Sequence, residues 1–232
     1  MEDLPSGIAQ FIFTDPPYNL DDEATQIHIK GREPVSKTAE WDKDFDPEDL
    51  VEPISRLLSP TGNVFAFTSF NMFGRWFEIY NPRFDTFQFM VWKKTNPTPQ
   101  VRKASFLNAV EQIVCFWNKG HLWNFTKQNE MHNHVESPIC MGKERLKDKE
   151  GNTLHPTQKP LKALRKQVLW CTNPGDIILD PYGGLFSIGH VALELGRRYI
   201  GVELDKRFFE AGKRRLEEVA SQPSIEVCLL GG

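Results

Sequence analysis

The chain has 232 residues, a net charge of −3 and four scattered cysteines. That length suits one α/β domain carrying an insertion, with room for a large core. No run of about 18 apolar residues occurs, so no membrane-spanning helix is expected, and Cys115, Cys140, Cys171 and Cys228 lack the paired spacing of a disulfide framework or zinc site.

Glu2 and Asp3 stand where a signal peptide would be basic, so a reduced, cytoplasmic protein is expected. Charge is uneven along the chain. Residues 1–60 carry 14 acids and 5 Lys/Arg, whereas 141–166 carry 8 Lys/Arg and 3 acids. A local basic zone suits a phosphate backbone whatever the total, although a solvated charged face gives the same pattern.

In chain order, Phe11–Thr14 reads as a buried strand that runs into Asp15-Pro16-Pro17-Tyr18. Each proline fixes its own φ and restricts the residue before it, so this turn is rigid and aims a carboxylate, a carbonyl and an aromatic ring at one point. An acid at the C-terminal end of a strand in an open α/β sheet sits where such sheets bind ligands. Leu20–Asp46 reads as a long acidic loop, ending in Glu40-Trp41-Asp42. Asp46 and Pro47 open a helix to Leu58, with Pro53 as a potential kink; Ser59-Pro60-Thr61-Gly62 reads as a turn and Val64–Thr68 as a strand. Phe73, Trp76, Phe77 and Tyr80 share one face of a helix over Asn71–Tyr80 and read as core.

Phe84–Trp92 and Val110–Trp117 are further strands. Between them lies a basic edge, Lys93, Lys94, Arg102 and Lys103, suited to phosphates or solvent. Asn118–Leu154 is polar, without sustained periodicity; its His132, His134 and Cys140 lack a fourth ligand, so no metal site is expected. His155-Pro156-Thr157-Gln158-Lys159-Pro160 precedes a helix over Leu161–Cys171. The strand Ile177–Leu179 then enters Asp180-Pro181-Tyr182-Gly183-Gly184-Leu185-Phe186-Ser187, a glycine-bearing turn into a helix over Ser187–Leu195. Arg198–Glu203 is a strand ending in an acid placed to hold a ribose diol. Asp205–Ala220 is an amphipathic helix with Phe208, Gly212, Leu216 and Val219 inward, and Ile225–Leu230 reads as a last strand.

The Asp-Pro-Pro-Tyr quartet resembles the catalytic motif of the DNA amino-methyltransferases, which methylate exocyclic amino groups of bases with S-adenosylmethionine. Trp41-Asp42, Trp92-x-Lys-x-Asn-Pro-x-Pro, the His155–Pro160 segment and the Asp180 loop resemble further elements of that family, in the order of its beta group. The resemblance covers nearly the whole chain. It implies a single domain, 1–232, with 118–154 as a short target-recognition insertion. It also implies a mostly parallel seven-stranded sheet with an antiparallel edge strand.

Asp15, Pro16, Pro17 and Tyr18 would be catalytic, with Trp92 walling the base pocket. His155, Thr157, Lys159, Asp180, Tyr182, Gly184 and Glu203 would hold S-adenosylmethionine, and Lys93, Lys94, Arg102 and Lys103 would meet DNA. Partners would be double-stranded DNA, a second copy of the chain and a cognate restriction endonuclease.

An Asp at the head of the quartet tilts the expectation to adenine N-6 over cytosine N-4, and a cytosine-C5 enzyme is disfavoured because no Pro-Cys nucleophile appears. One departure stands out: Phe186 occupies the place of the family's second glycine, where a large side chain makes positive φ costly. Two outcomes follow, an active enzyme or a silent DNA-binding relative with an impaired cofactor loop. A nucleotide-dependent oxidoreductase fits the quartet and the motif order poorly. The beta group often has a strand ahead of the catalytic one, and Ile225–Leu230 is expected to fill that sheet position.

Overall fold

A computed structural model describes residues 1–19, 44–99, 103 and 106–221. Its seven strands are β1 (Ala9–Thr14), β2 (Leu58–Thr68), β3 (Thr86–Lys94), β4 (Val110–Trp117), β5 (His134–Ser137), β6 (Ile177–Asp180) and β7 (Arg198–Gly201). They form one sheet in the order β5-β3-β4-β2-β1-β6-β7. The helices are α1 (Val51–Leu57, entered through a 3-10 turn at Pro47–Leu50), α2 (Phe70–Tyr80), α3 (Leu161–Cys171), α4 (Ser187–Glu194) and α5 (Lys206–Ala220).

All pairings are parallel except those of β4, which runs against both β2 and β3. The antiparallel strand is therefore interior, not at an edge as expected. The edges are β7 and β5. The latter lies in the 118–154 segment and has no periodicity long enough to announce it, since its four residues are recruited by the ladder β3 offers. Ile225–Leu230 lies outside the described residues, as do the Glu40-Trp41-Asp42 element and Arg102.

The centre of the sheet is buried on both faces, which explains the unbroken apolar run in β1. Phe11 and Phe13 pack with Phe65 and Phe67 under α3 and α4, against Leu164, Val168, Ile188 and Val191. Ile12, Val64, Ala66, Val114 and Phe116 face the other way onto Ile54, Leu57, Trp76 and Tyr80 of α1 and α2. In α2, Trp76 and Tyr80 are core as expected, whereas Phe77 is 44% exposed. In α5, Arg215 is buried where Leu216 and Val219 were expected to lead.

Two local signals were read correctly in kind but not in extent. Asp46 caps the first helix by accepting from Glu48 N at 3.0 Å. The Pro60-Thr61-Gly62 turn survives inside β2 as an interruption: β1 advances from Ala9 to Phe11 while β2 advances from Leu58 to Asn63.

Chain routing decides where a ligand can sit. From β1 the chain crosses by α1 to β2, on one side; from β6 it crosses by α4 to β7, on the other. The loops leaving the C-terminal ends of these neighbouring strands diverge and open a crevice between them.

Candidate active site

Residues 15–18 leave the end of β1 and are held in place from several sides. The Thr14 hydroxyl donates to Asp180 Oδ1 at 2.9 Å, tying β1 to β6 at the crevice floor. Ser69 Oγ donates to the Tyr18 carbonyl at 3.0 Å. Asn19, at φ 49°, adopts the left-handed conformation that asparagine tolerates, and its side chain exchanges two hydrogen bonds with the Phe45 backbone at 2.7 and 3.1 Å.

Around Asp15 stands a compact set of charges. Lys159 Nζ lies 2.6 Å from Asp15 Oδ2 and 3.3 Å from Glu111 Oε2. Lys94 Nζ lies 2.8 Å from Glu111 Oε1. The Tyr18 hydroxyl is within donating distance of both carboxylates, 3.0 Å from Asp15 Oδ1 and 3.1 Å from Glu111 Oε2. Its single proton serves one acceptor at a time. The Lys159 ammonium also sits over the rings of Phe67 and Tyr18, at 4.8 and 5.1 Å.

Burial raises the Asp15 pKa above the ordinary carboxylate value, and Glu111 adds to the rise, while Lys159 opposes both. For Glu111 burial also acts upward, but Lys159 and Lys94 outweigh it and hold the carboxylate below its usual range. Lys159 remains a firm cation because the two carboxylates overcome the burial that would discharge it.

Across the crevice, acids are held by hydroxyl and backbone donors above an apolar support. Asp180 accepts from Tyr199 OH at 3.0 Å and from the Tyr182 N–H at 3.2 Å as well as from Thr14. Even so, burial carries its pKa up to about 7. Gly184 has φ +52°, and its N–H donates to Glu203 Oε2 at 2.8 Å; the Asp205 N–H donates to Oε1 at 2.7 Å. Glu203 is thus fixed by two backbone donors and keeps further lone pairs.

Phe186 does what a glycine would do there. It takes φ 52°, ψ 42°, and so preserves the loop's path. The cost of the left-handed region is about 1–2 kcal/mol. Burial of the ring, 4% exposed, is worth about 1.5–3 kcal/mol and offsets it. The ring packs edge-on to Tyr199 and Phe209, at 5.7 and 5.8 Å between centroids. It fills space left by two glycines: a Cβ at Gly183 or Gly212 would come within 2.3 or 2.6 Å of it. The ring does not border the crevice: it packs beneath the loop, against Gly212, Tyr199 and Phe209. Arg215, buried beneath, donates to the Leu185 carbonyl at 3.3 Å and to Ser187 Oγ at 2.9 Å.

Both sides line one cavity of about 350 Å³. Asp15, Pro16, Pro17 and Tyr18 wall one end; His155, Thr157 and Lys159 come from the segment before α3; Asp180, Tyr182, Gly184 and Glu203 close the other end. Every residue expected at the catalytic and cofactor positions thus borders the same space. His155 meets Phe208 edge-on at 4.6 Å, and its burial, with Lys159 and Arg145 nearby, lowers its pKa to about 4, leaving it neutral at physiological pH.

The expected DNA contacts divide. Lys93 is exposed and paired with Glu136 at 3.0 Å, and Lys103 is exposed. Lys94 is a correction: it is turned inward to Glu111, its side chain only 11% exposed, because an unpaired acid so deep would be costly. Trp92 is also a correction: it lies in the core, donating from Nε1 to Ser137 Oγ at 2.8 Å, and does not border the cavity.

Sequence reading missed Glu111. The only signal was an acid near the start of an otherwise apolar strand, and that signal has meaning only once β4 is known to run antiparallel. Its first residues then reach the edge where the parallel strands end.

The architecture defines the class: a doubly wound α/β protein with its ligand crevice at the switch point of the sheet. The chain belongs to the DNA methylase family, whose sequence model matches residues 9–214. The type II methyltransferase M.HinfI of Haemophilus influenzae is 32% identical over 241 residues, covering 97% of this chain and 67% of that protein. The type II methyltransferase M2.DpnII of Streptococcus pneumoniae is 30% identical over 222 residues, covering 89% and 81%. Among solved structures, the M1.HpyAVI–SAM complex is similar with a TM-score of 0.69 at 25% identity, covering 93% of this chain and 90% of that one.

Proposed function

We propose that the protein transfers a methyl group from S-adenosylmethionine to the N-6 amino group of an adenine swung out of double-stranded DNA. The carrying observation is that the Asp15 turn and the Gly184–Glu203 loop border one cavity. The chemistry of the lining suits this donor. Asp15 is matched by Lys159 and Asp205 by Arg207, His155 is neutral, and Glu203 is held by backbone donors. The lining lysine is committed to two carboxylates and Glu203 adds a negative charge, so a pyrophosphate, and with it a nicotinamide-type dinucleotide, is the poorer match. The volume lies within the usual range for small-molecule sites.

Glu203 would hold the ribose diol, and the backbone at Gly184 would lie against the ligand, with His155 and Thr157 beside its amino-acid end. When bound, S-adenosylmethionine supplies an electrophilic methyl: the amino nitrogen forms the new N–C bond while the C–S pair stays on sulfur as a thioether. Asp15 and the Pro16 carbonyl would accept the two N–H groups of the base. That pyramidalises the nitrogen and frees a lone pair otherwise delocalised into the ring. The nitrogen then sheds its extra proton through Asp15 to water. Tyr18 would stack on the extruded base. Lys93 and Lys103 would meet phosphates, and residues 118–154, apart from β5, would supply target recognition. A restriction-modification setting in the cytoplasm, with a cognate endonuclease, fits the relatives' type II names.

The test is to incubate the full chain with duplex DNA and methyl-labelled S-adenosylmethionine, digest to nucleosides and separate them by mass spectrometry. Labelled N6-methyladenine is expected. Labelled N4-methylcytosine would overturn the choice of base, and no labelled nucleoside above the protein-free control would overturn the enzyme.

A further inference from the structure

Resting on that reading, we propose that Lys159 is a positioning residue for catalysis, the counter-charge that keeps Asp15 ionised, and that Glu111, backed by Lys94, sets where Lys159 stands. The family resemblance places Lys159 with the cofactor. The structure instead puts its ammonium 2.6 Å from Asp15 and 3.3 Å from Glu111, its side chain 6% exposed. Ionised, the carboxylate accepts from the substrate amino group about twice as strongly as the neutral acid, and it alone can take up the proton that the nitrogen sheds. Asp15 is half-buried in the crevice beside Tyr18 and Glu111, where burial favours the neutral acid.

Groups facing Asp15 come from every neighbouring element. Lys159 comes from the segment before α3, Glu111 from β4, Tyr18 from its own turn and Asp180 from β6. Lys94 of β3 stands one pair further out, and His155 faces Lys159 from the far side. Of these only Lys159 is a cation in contact with Asp15. Glu111 does two opposed things: its charge presses on Asp15, and its Oε2 holds Lys159 in reach. Lys94 neutralises Glu111 from the other side, so the chain Asp15–Lys159–Glu111–Lys94 alternates in sign and sums to zero. That arrangement leaves Lys159 shared between two acids. Asp15 can then exchange part of its hydrogen bonding for the incoming amino group without stranding an unpaired ammonium.

The experiment compares Lys159→Met and Glu111→Gln with wild type in the full chain. One readout is the pH profile of methyl transfer from about pH 5 to about pH 9. The other is direct titration of the Asp15 carboxyl by ¹³C NMR of aspartate-labelled protein, assigned with Asp15→Asn. Lys159→Met is expected to move the Asp15 titration and the acidic limb of the profile up by about one unit or more, and to cost about 100-fold in rate at neutral pH. Glu111→Gln removes a like charge while its amide oxygen still accepts from Lys159, and it is expected to move both downward. A loss of packing alone would lower the rate at every pH and leave the limb in place.

Titrations unmoved in both variants, or moved the same way, overturn the proposal. If Lys159→Met does not fold, the near-isosteric Glu111→Gln decides by itself: an unchanged or raised Asp15 titration overturns it. A wild type that transfers no methyl, with Asp15 responding as described, removes the methyltransferase reading and leaves this charge arrangement standing. An active wild type with an unresponsive Asp15 removes only this proposal.

Discussion

The two walls of the cavity are built on different principles. The β1 turn is a charge device: Asp15, Tyr18, Lys159, Glu111 and Lys94 are held by ion pairs and hydrogen bonds of 2.6–3.3 Å among largely buried atoms. The loop after β6 is a shape device: Gly184 and Phe186 lie in the left-handed region, and a phenyl ring and a buried arginine support the path from below. The first wall is therefore exposed to changes of charge and pH at constant shape. The second is exposed to added bulk and backbone strain at constant charge. A binding site that accepted either kind of change on both walls would contradict this division.

The largest effect is expected at Asp15. Replacing it with Ala removes the acceptor for the amino group, and methyl transfer should fall by about 10²–10³-fold or more. Calorimetric affinity for S-adenosylmethionine should stay within about threefold, since charge on this wall acts on the base. An undiminished rate removes Asp15 from the mechanism. On the opposite wall, Gly184→Val forces a β-branched residue to φ +52°. The strain of about 1–2 kcal/mol or more should weaken S-adenosylmethionine binding about tenfold or more, while the pH profile keeps its acidic limb. A shifted limb would show that the two walls are not separate.

Phe186→Gly sharpens the comparison further. Relief of left-handed strain returns about 1–2 kcal/mol, against about 3–5 kcal/mol for emptying a buried aromatic site. Denaturant unfolding should therefore show a net loss of roughly 2–3 kcal/mol, with no gain in cofactor affinity. A tenfold gain in affinity would mean that the ring obstructs the site after all. A last test, of stability against pH, concerns Asp180, which belongs to both walls. Its carboxyl is raised from 3.8 to about 7 by burial, so the folded state holds its proton more tightly than the unfolded state. The stability it contributes is full below about pH 4 and is lost as pH rises through about 7. Asp180→Asn should flatten that part of the stability–pH curve; an unchanged slope would place the titration elsewhere.

Much of the site was legible before any coordinates. The proline-stiffened turn, the acid two residues past the end of β7 and the glycine-bearing loop each have a local cause, and local causes are written in neighbouring residues. Helix α3 and the Asp46 cap were readable for the same reason. The failures lie where a partner far along the chain decides. His134–Ser137 is a strand because β3 offers it a ladder. Lys94 turns inward because Glu111 is opposite, and Trp92 is core because Ser137 takes its indole N–H. Phe186 looked like a fault because, Gly183 apart, the groups that accommodate its ring, Tyr199, Phe209 and Gly212, lie well along the chain.

By itself, then, the sequence determined the kind of fold and the residue types of the chemistry, since backbone preferences and apolar spacing act over a few residues. Tertiary structure decided which charges meet. The antiparallel course of β4 and the divergence of the β1 and β6 crossovers bring Glu111, Lys94, Lys159 and Asp15 to one sheet edge. Electrostatic energy in a low-dielectric crevice depends on separation in space, and no spacing along the chain encodes it.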